Sequence, residues 1–211
     1  MKFLQIALDL FSTKDALAVL AEVSPYIDII ELGTPLIITE GVRVVDVVKG
    51  KYTDKIVFAD IKVMDGGRIV SKIAFDAGAD MVSVLAAADD ATVRGTIELA
   101  RERGKKVLVD TCAVRDLVTR AKEIELMGPD YICVHVGTDV QREGIDPVTQ
   151  LKKLDGIQTA KAIAGGIKLD NIEAAAKSEA AVIISGGGIY NQPDMAGAAR
   201  QMRKILDQYA G

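Results

Sequence analysis

The chain has 211 residues, of which 49% are hydrophobic and 4% aromatic, with no tryptophan and a formal net charge of -4 at pH 7. This length predicts one domain with a full core, and the composition favours an α/β fold over a β-sandwich. The acidic balance gives no electrostatic reason to expect a nucleic acid or an anionic membrane as partner.

The N-terminal stretch MKFLQIALD is short, interrupted by Gln5 and Asp9, and followed by no small-residue cleavage site. We therefore interpret it as a first strand and not as a signal peptide. No apolar run approaches the roughly 18 residues of a membrane span. Cys112 and Cys133 are too few for a disulfide framework or a zinc site. These features predict a cytoplasmic protein with reduced thiols and no membrane partner.

Eight short apolar runs follow one another along the chain, each succeeded by a polar or glycine-rich loop and a segment of helical periodicity. Such runs are typical of strands covered on both faces. The predicted strands are FLQIALD, IDIIELG, KIVFADI, DMVSVLA, KVLVDTC, YICVHVG, TAKAIAGG and AVIISGGG. Capping patterns predict helix starts near Ser12 (a capping box with Asp15), Asp89, Asp116, Asp170 and Pro193, and glycine ends at Gly104 and Gly128.

Eight strand–helix units predict a single (β/α)8 TIM barrel over residues 1–211, near the short end for that fold. An open doubly wound sheet is the alternative. Against it, no G-x-G-x-x-G follows the first run, whereas glycine clusters end the seventh and eighth runs. Barrels of this class bind phosphate after those two strands.

Polar side chains recur where the predicted strands end. In a barrel, these carboxyl ends converge on one mouth, which is where active sites lie. A purely structural role would scatter the charges over both ends, so their clustering predicts a functional site. The residues are Asp9, Glu31, Asp60 with Lys62, Asp110 and His135.

The stretch FADIKVMDGG places Asp60, Lys62 and Asp65 within six positions. Asp60 and Lys62 are two apart on a strand, so their side chains share a face. A lysine beside carboxylates stays protonated, which suits binding an oxyanion better than forming a Schiff base. The alternative interpretation is a structural ion pair that supports the loop.

His135 is the only histidine in the chain, and histidine is the side chain best suited to exchange protons near neutral pH. We predict that it is a general acid or base. Glu31 and Asp60 could ligate one hard cation, and two carboxylates with substrate oxygens and water suit Mg²⁺, with Mn²⁺ as an alternative. The lack of further histidine and of cysteine ligands argues against zinc.

The glycines of AGG and SGGG leave backbone N–H groups free to approach a phosphate. Simple turn chemistry is the other explanation. The two clusters run from Ala164 to Gly166 and from Ser185 to Gly188, and they predict a phosphate site at the ends of the last two strand runs.

With these residues in view, the chain resembles the 3-hexulose-6-phosphate synthase family of the orotidine 5'-monophosphate decarboxylase superfamily. The resemblance runs from the N-terminus to beyond Gly188 and is carried by LQIALD, IIELGTPLI, DIKVMDGG, AFDAGADMVSVL, ADDATVRG, YICVHVGTD and AGGI.

The resemblance implies a Mg²⁺-dependent aldol addition of D-ribulose 5-phosphate to formaldehyde. It further implies that Glu31 and Asp60 hold the metal, that Asp9 and Lys62 contact substrate oxygens, and that His135 moves the proton at C1. Asp65 would reach into the neighbouring site of a homodimer, and the backbone of Gly165, Gly166, Gly186 and Gly187 would hold the phosphate.

Related families differ at single positions. The 3-keto-L-gulonate-6-phosphate decarboxylases typically carry arginine where this chain has Thr138, and another arginine in the last phosphate loop. Orotidine decarboxylases work without metal and usually have a second lysine before the D-x-K pattern, and ribulose-phosphate 3-epimerases use two metal-binding histidines. A decarboxylase of the keto-gulonate type and a non-catalytic sugar-phosphate-binding barrel remain the alternative hypotheses.

Overall fold

The computed structural model describes residues 2–209. For Glu143 it describes the backbone but not the side chain. Eight parallel strands close into one barrel in chain order, and the last strand pairs with the first through Phe3 and Val182. The predicted (β/α)8 barrel is therefore confirmed, and the open doubly wound sheet is wrong. The strands are β1 Phe3–Leu8, β2 Ile29–Leu32, β3 Ile56–Val63, β4 Met81–Leu85, β5 Lys106–Asp110, β6 Tyr131–His135, β7 Ala160–Ala164 and β8 Val182–Ser185.

Helices connect the strands and cover the outside of the barrel. Short 3₁₀ segments lie at Ser24–Tyr26, Gln141–Glu143 and Lys152–Leu154. None of the helices formed by residues 2–209 is long and apolar enough to cross a membrane. The α-helices are α1 Thr13–Val23, α2 Thr34–Glu40, α3 Arg43–Lys51, α4 Gly67–Asp76, α5 Asp90–Glu102, α6 Leu117–Met127, α7 Pro147–Leu151, α8 Ile172–Lys177, α9 Gly187–Tyr190 and α10 Met195–Gln208.

Capping side chains explain several helix starts. Ser12 and Asp116 each accept a backbone N–H of the first turn, as predicted. The helix starts predicted at Asp170 and Pro193 are wrong. The Asp170 carboxylate pairs with Lys168 and does not cap α8. Pro193 lies before α10, because Asp194 takes the capping position by accepting a backbone N–H of that helix.

Alternate residues of the strands divide the core into two layers, as the two-residue period of a strand requires. One layer packs between the sheet and the helices and includes Leu4 and Ile6 of β1. The other fills the barrel interior with Ile29, Phe58, Met81 and related apolar side chains. This interior packing closes the lower part of the barrel, so the polar residues of the strand ends stand above an apolar floor.

Candidate active site

A cavity of about 920 Å³ opens at the carboxyl ends of the strands, within the usual size range of ligand-binding clefts. Its lining contains every residue predicted for the site except Asp65. These residues are Asp9, Glu31, Asp60, Lys62, Asp110, His135, Gly165, Gly166, Gly186 and Gly187. Side chains from five different strands or strand ends thus meet in one place.

Four of the polar side chains form a continuous chain of contacts. The Lys62 Nζ lies 2.9 Å from Asp60 Oδ2 and 3.1 Å from Asp110 Oδ2. The same Asp110 oxygen lies 2.9 Å from His135 Nδ1. Asp110 therefore joins the lysine to the histidine. Its second oxygen, Oδ1, accepts the backbone N–H of Cys112, which fixes the carboxylate between them.

The charges of this chain shift the pKa of two members. Burial alone would lower the pKa of Lys62, but the charges of Asp60 and Asp110 and the hydrogen bonds to them outweigh burial and raise it. Burial alone would raise the pKa of Asp110, but the hydrogen bond and charge of His135, with the charge of Lys62, lower it to about 2. Lys62 is therefore a cation and Asp110 an anion at neutral pH.

The lowered pKa of Asp110 predicts a pH dependence of stability. Since its folded-state pKa lies below the ordinary carboxyl value, the ionised group stabilises the fold above about pH 4, and this contribution is lost as the pH falls towards 2. We expect the wild type to exceed Asp110→Asn in free energy of unfolding by roughly 2 kcal/mol near neutrality. Urea titrations at falling pH should show this gap narrowing, and a gap independent of pH would contradict the assignment.

The backbone of β3 is irregular where it delivers Lys62. Its pairing with β4 shifts between Ala59 and Val63, and Lys62 has φ of +42°, a left-handed conformation that is strained for a residue with a side chain. Ser83 of β4 stabilises this bulge, because its Oγ accepts the Lys62 N–H at 2.8 Å and donates to Asp60 Oδ1 at 2.7 Å. One buried hydroxyl thus fixes both the backbone of the lysine and the carboxylate beside it.

Replacing Ser83 with alanine is expected to lower the free energy of unfolding by about 1–3 kcal/mol, because the Lys62 N–H and Asp60 Oδ1 both lose their partner. Activity should fall as well, since Asp60 and Lys62 become less fixed. The matched control is Ser71→Ala, which removes another fully buried hydroxyl, one without a hydrogen-bond partner among the described residues. The free energy of unfolding, measured by urea denaturation, and kcat/KM should both fall in Ser83→Ala and hardly change in Ser71→Ala.

Glu31 is buried at the end of β2, with 8% of its surface exposed, and lines the cavity. Burial raises its pKa strongly, the nearby Asp60 and Asp9 raise it further, and a hydrogen bond from Gln5 opposes them. Burial and the charge of Asp60 also raise the pKa of Asp9 at the rim. The mouth therefore holds more carboxyl groups than Lys62 alone can neutralise.

A divalent cation bound by oxygen ligands fits this donor set, because it would offset the charge repulsion between Glu31 and Asp60. Within residues 2–209, no group of three or more His, Cys, Asp and Glu side chains has the arrangement of a metal centre. The sequence predicts only two protein ligands, with the other positions left to substrate and water, so the metal site stays a prediction.

The two glycine clusters border the opposite side of the cavity from β2 and β3. Gly165 has φ of +104°, and a side chain there would collide with the carbonyl oxygen of Val136. A side chain at Gly186 would come within 2.9 Å of the Ala7 carbonyl oxygen. Both positions therefore require glycine, and the bare backbone that results faces the cavity beside Tyr190.

Asp65 lies apart from this cavity. It is exposed in the loop after β3, and its Oδ1 accepts the backbone N–H of Gly66 at 2.7 Å. The structure therefore does not bring it to the site of its own chain. The predicted role of Asp65 in a neighbouring subunit stays a prediction.

Three residues that support the site were not singled out from the sequence. Ser83 and Gln5 are fully buried polar residues, and each interrupts an apolar strand run, which was the available signal. Thr34 donates to Asp60 Oδ2 at 2.9 Å. Asp110 was predicted to lie among the polar residues at the strand ends but was given no role. It is nevertheless the residue that contacts both Lys62 and His135.

The fold and the site together define a (β/α)8-barrel protein with a polar, enzyme-like site at the carboxyl ends of its strands. The profile of the orotidine 5'-phosphate decarboxylase / HUMPS family matches residues 2–202. The chain belongs to this family.

The chain is also similar to individual proteins. The chain is 44% identical over 207 residues to "3-hexulose-6-phosphate synthase" of Bacillus subtilis (strain 168), covering 97% of this chain and 99% of that protein. The structure of a protein of that name from Salmonella typhimurium is 40% identical, with a TM-score of 0.95 and coverage of 98% and 99% of the two chains. The 3-keto-L-gulonate-6-phosphate decarboxylase of Vibrio cholerae O1 is 28% identical, with a TM-score of 0.89 and coverage of 100% and 99%.

Proposed function

We propose that this protein catalyses the reversible aldol condensation of formaldehyde with D-ribulose 5-phosphate to D-arabino-hex-3-ulose 6-phosphate. It would therefore be a carbon–carbon lyase of the aldehyde-lyase class. The observation that carries the proposal is the Lys62–Asp110–His135 chain beside Glu31 and two bare glycine loops in one cavity. The similarity to proteins named as synthases supports the same reaction.

His135 is the proton-transfer group of this proposal. Asp110 engages Nδ1 at 2.9 Å, which fixes the ring and leaves Nε2 to exchange a proton with the substrate. Removing the C1 proton of a ketose phosphate needs a base near neutral pH, and the electron pair that remains forms an enediolate. The enediolate carbon then bonds to the carbon of formaldehyde, whose C=O π bond breaks, and the protonated His135 returns the proton to the alkoxide oxygen that results.

Lys62 stabilises the negative charge that develops on the substrate oxygen. Because its pKa is raised, it remains an ammonium group and cannot act as the neutral amine that a Schiff base requires. Its position between Asp60 and Asp110 is fixed before the substrate arrives, and such preorganised charge is an effective source of transition-state stabilisation.

Glu31 and Asp60 are the proposed ligands of Mg²⁺, with Mn²⁺ as the alternative ion. When bound, the cation would polarise the substrate's carbonyl and hydroxyl oxygens as a Lewis acid. Ser83 and Thr34 hold the Asp60 carboxylate. Asp9 at the rim would bind a substrate hydroxyl, and the backbone of Gly165, Gly166, Gly186 and Gly187 would bind the phosphate.

The proposal is tested by following formaldehyde consumption with ribulose 5-phosphate, with and without a chelator. Consumption that needs the sugar phosphate and is restored by Mg²⁺ is expected. Folded, metal-loaded protein that consumes no formaldehyde would defeat the proposal, and ligand binding without turnover would identify a non-catalytic barrel. Release of carbon dioxide from a keto-gulonate phosphate faster than aldol addition would identify the decarboxylase, against which Thr138 in the cavity lining argues.

We propose further that the active form is a homodimer in which Asp65 completes the neighbouring site. The loop and helix that follow β3 expose Met64, Ile69 and Ile73, and an apolar surface of this kind is typical of a protein interface. Asp65 lies beside these residues and outside its own cavity, which fits a contact across the interface.

Mixing two inactive variants tests the shared site. Asp65→Asn and Lys62→Met are each expected to be inactive as homodimers. In a mixed dimer, one site carries both substitutions and the other carries neither, so random exchange should restore about a quarter of wild-type activity. Light scattering before mixing checks the oligomeric state. If the mixture stays inactive although subunits have exchanged, Asp65 does not act across the interface.

A further inference from the structure

Gln5 is a polar side chain inside an apolar part of the molecule. It is fully buried on β1, opposite Ile29 of β2, and its strand sends Phe3 and Ala7 into the barrel interior on the same face. The interior around this level consists of apolar side chains such as Met81 and Val182. A glutamine is therefore an unexpected residue for this position.

Packing does not explain the glutamine. Its Oε1 atom is buried and has no hydrogen-bond partner among the described residues. A buried acceptor without a partner lowers stability, and an apolar side chain of similar length could fill the same space without that cost. The reason for a glutamine must therefore lie in its other polar atom.

That atom, Nε2, donates a hydrogen bond of 2.6 Å to Glu31 Oε2. Gln5 thus approaches Glu31 from the barrel interior, while the Glu31 carboxylate also borders the cavity. Because the amide occupies Oε2, Oε1 is the oxygen left for a ligand in the cavity. The bond also holds the carboxylate against the repulsion of Asp60, which lies on the neighbouring strand.

We propose that Gln5 is a positioning residue of the cation site: its amide holds Glu31 from below and so sets the affinity for the divalent ion. The inference rests on the proposed function, because it presupposes that Glu31 is a metal ligand. Gln5 does not line the cavity and would touch neither substrate nor metal. Outer hydrogen bonds to metal ligands commonly change metal affinity by about 10- to 100-fold when they are removed.

The test is a titration of free Mn²⁺, followed by electron paramagnetic resonance, on the wild type, Gln5→Met and Gln5→Asn. Methionine keeps the length without the donor, and asparagine keeps the donor but is too short to reach Glu31. We expect both to bind Mn²⁺ at least about tenfold more weakly. The thermal midpoint of each variant is measured to establish that it is folded. Met81→Leu, a packing change in the same interior, is the matched control and should bind as the wild type.

Steady-state kinetics give a second measurement. The KM for Mg²⁺ should rise in Gln5→Met, while kcat at saturating Mg²⁺ stays near the wild-type value. Equal Mn²⁺ affinity in the wild type and both variants would overturn the role of Gln5 and leave the proposed function standing. If Met81→Leu weakens Mn²⁺ binding as much as the Gln5 variants do, Gln5 acts only through packing of the interior. A wild type that binds no Mn²⁺ would overturn both the cation site and the role of Gln5.

Discussion

Lys62→Met is expected to lower kcat by at least roughly 10²- to 10³-fold, the size of effect seen when one preorganised charge-stabilising group is removed. Methionine is similar in length but uncharged, so the enediolate oxygen loses its cation. The buried Asp60 and Asp110 also lose the ammonium group that lies 2.9 and 3.1 Å from them. The loss should appear in steady-state kinetics at saturating Mg²⁺ and in the exchange of the C1 proton.

The matched control is Lys161→Met, because Lys161 is a buried lysine near the start of β7, away from the mouth. Its Nζ pairs with Glu179 at 3.0 Å and donates to the Ile157 carbonyl oxygen at 2.7 Å. This variant should lose stability but keep its kcat. Lys62→Arg separates charge from shape and should recover only part of the activity, because the guanidinium is planar and larger. Full activity in Lys62→Met would remove the lysine from the proposed mechanism.

His135→Asn is expected to slow exchange of the C1 proton of ribulose 5-phosphate by roughly 10²- to 10⁴-fold, the usual contribution of a general base. Nuclear magnetic resonance in D₂O without formaldehyde isolates this step from carbon–carbon bond formation. Asparagine retains a polar side chain beside Asp110 but cannot take up the proton. Binding of the sugar phosphate, measured by calorimetry, should be largely kept.

Cys112→Ala serves as the control for this experiment. Cys112 follows Asp110 closely, but its half-buried side chain is not part of the cavity lining. Its loss should leave the exchange rate unchanged. Wild-type exchange in His135→Asn would instead assign proton transfer to another group, and Asp9 would be the next residue to replace.

The fold followed from the sequence because its signals are local and repeated. Most strand runs are apolar over their first residues without polar alternation, and this pattern is dictated by burial on both faces. Capping at Ser12 and Asp116 was predicted for the same reason, since a cap depends on residues within one turn. The start of α10 was predicted wrongly because Pro193 and Asp194 both carry a start signal, and only the carboxylate's hydrogen bond decides between them.

The residues that line the site could also be predicted from the sequence. Asp9, Glu31, Asp60 and His135 stand at strand ends, and a closed barrel brings such ends together whatever the details of packing. The contacts among them were not predictable. That Asp110 joins Lys62 to His135 depends on distances between three strands, and no spacing along the chain encodes those distances.

The sequence by itself determined eight strands, their order and the kind of side chain at the end of each, because periodicity and polarity are properties of short segments. Only the tertiary structure decided how those side chains are supported. The left-handed Lys62, the Ser83 hydroxyl beneath it and the Gln5 amide beneath Glu31 all depend on neighbouring strands. Hydrogen bonds between side chains of different strands form only once the barrel has closed. The sequence therefore shows which residues are present but not which of them pair.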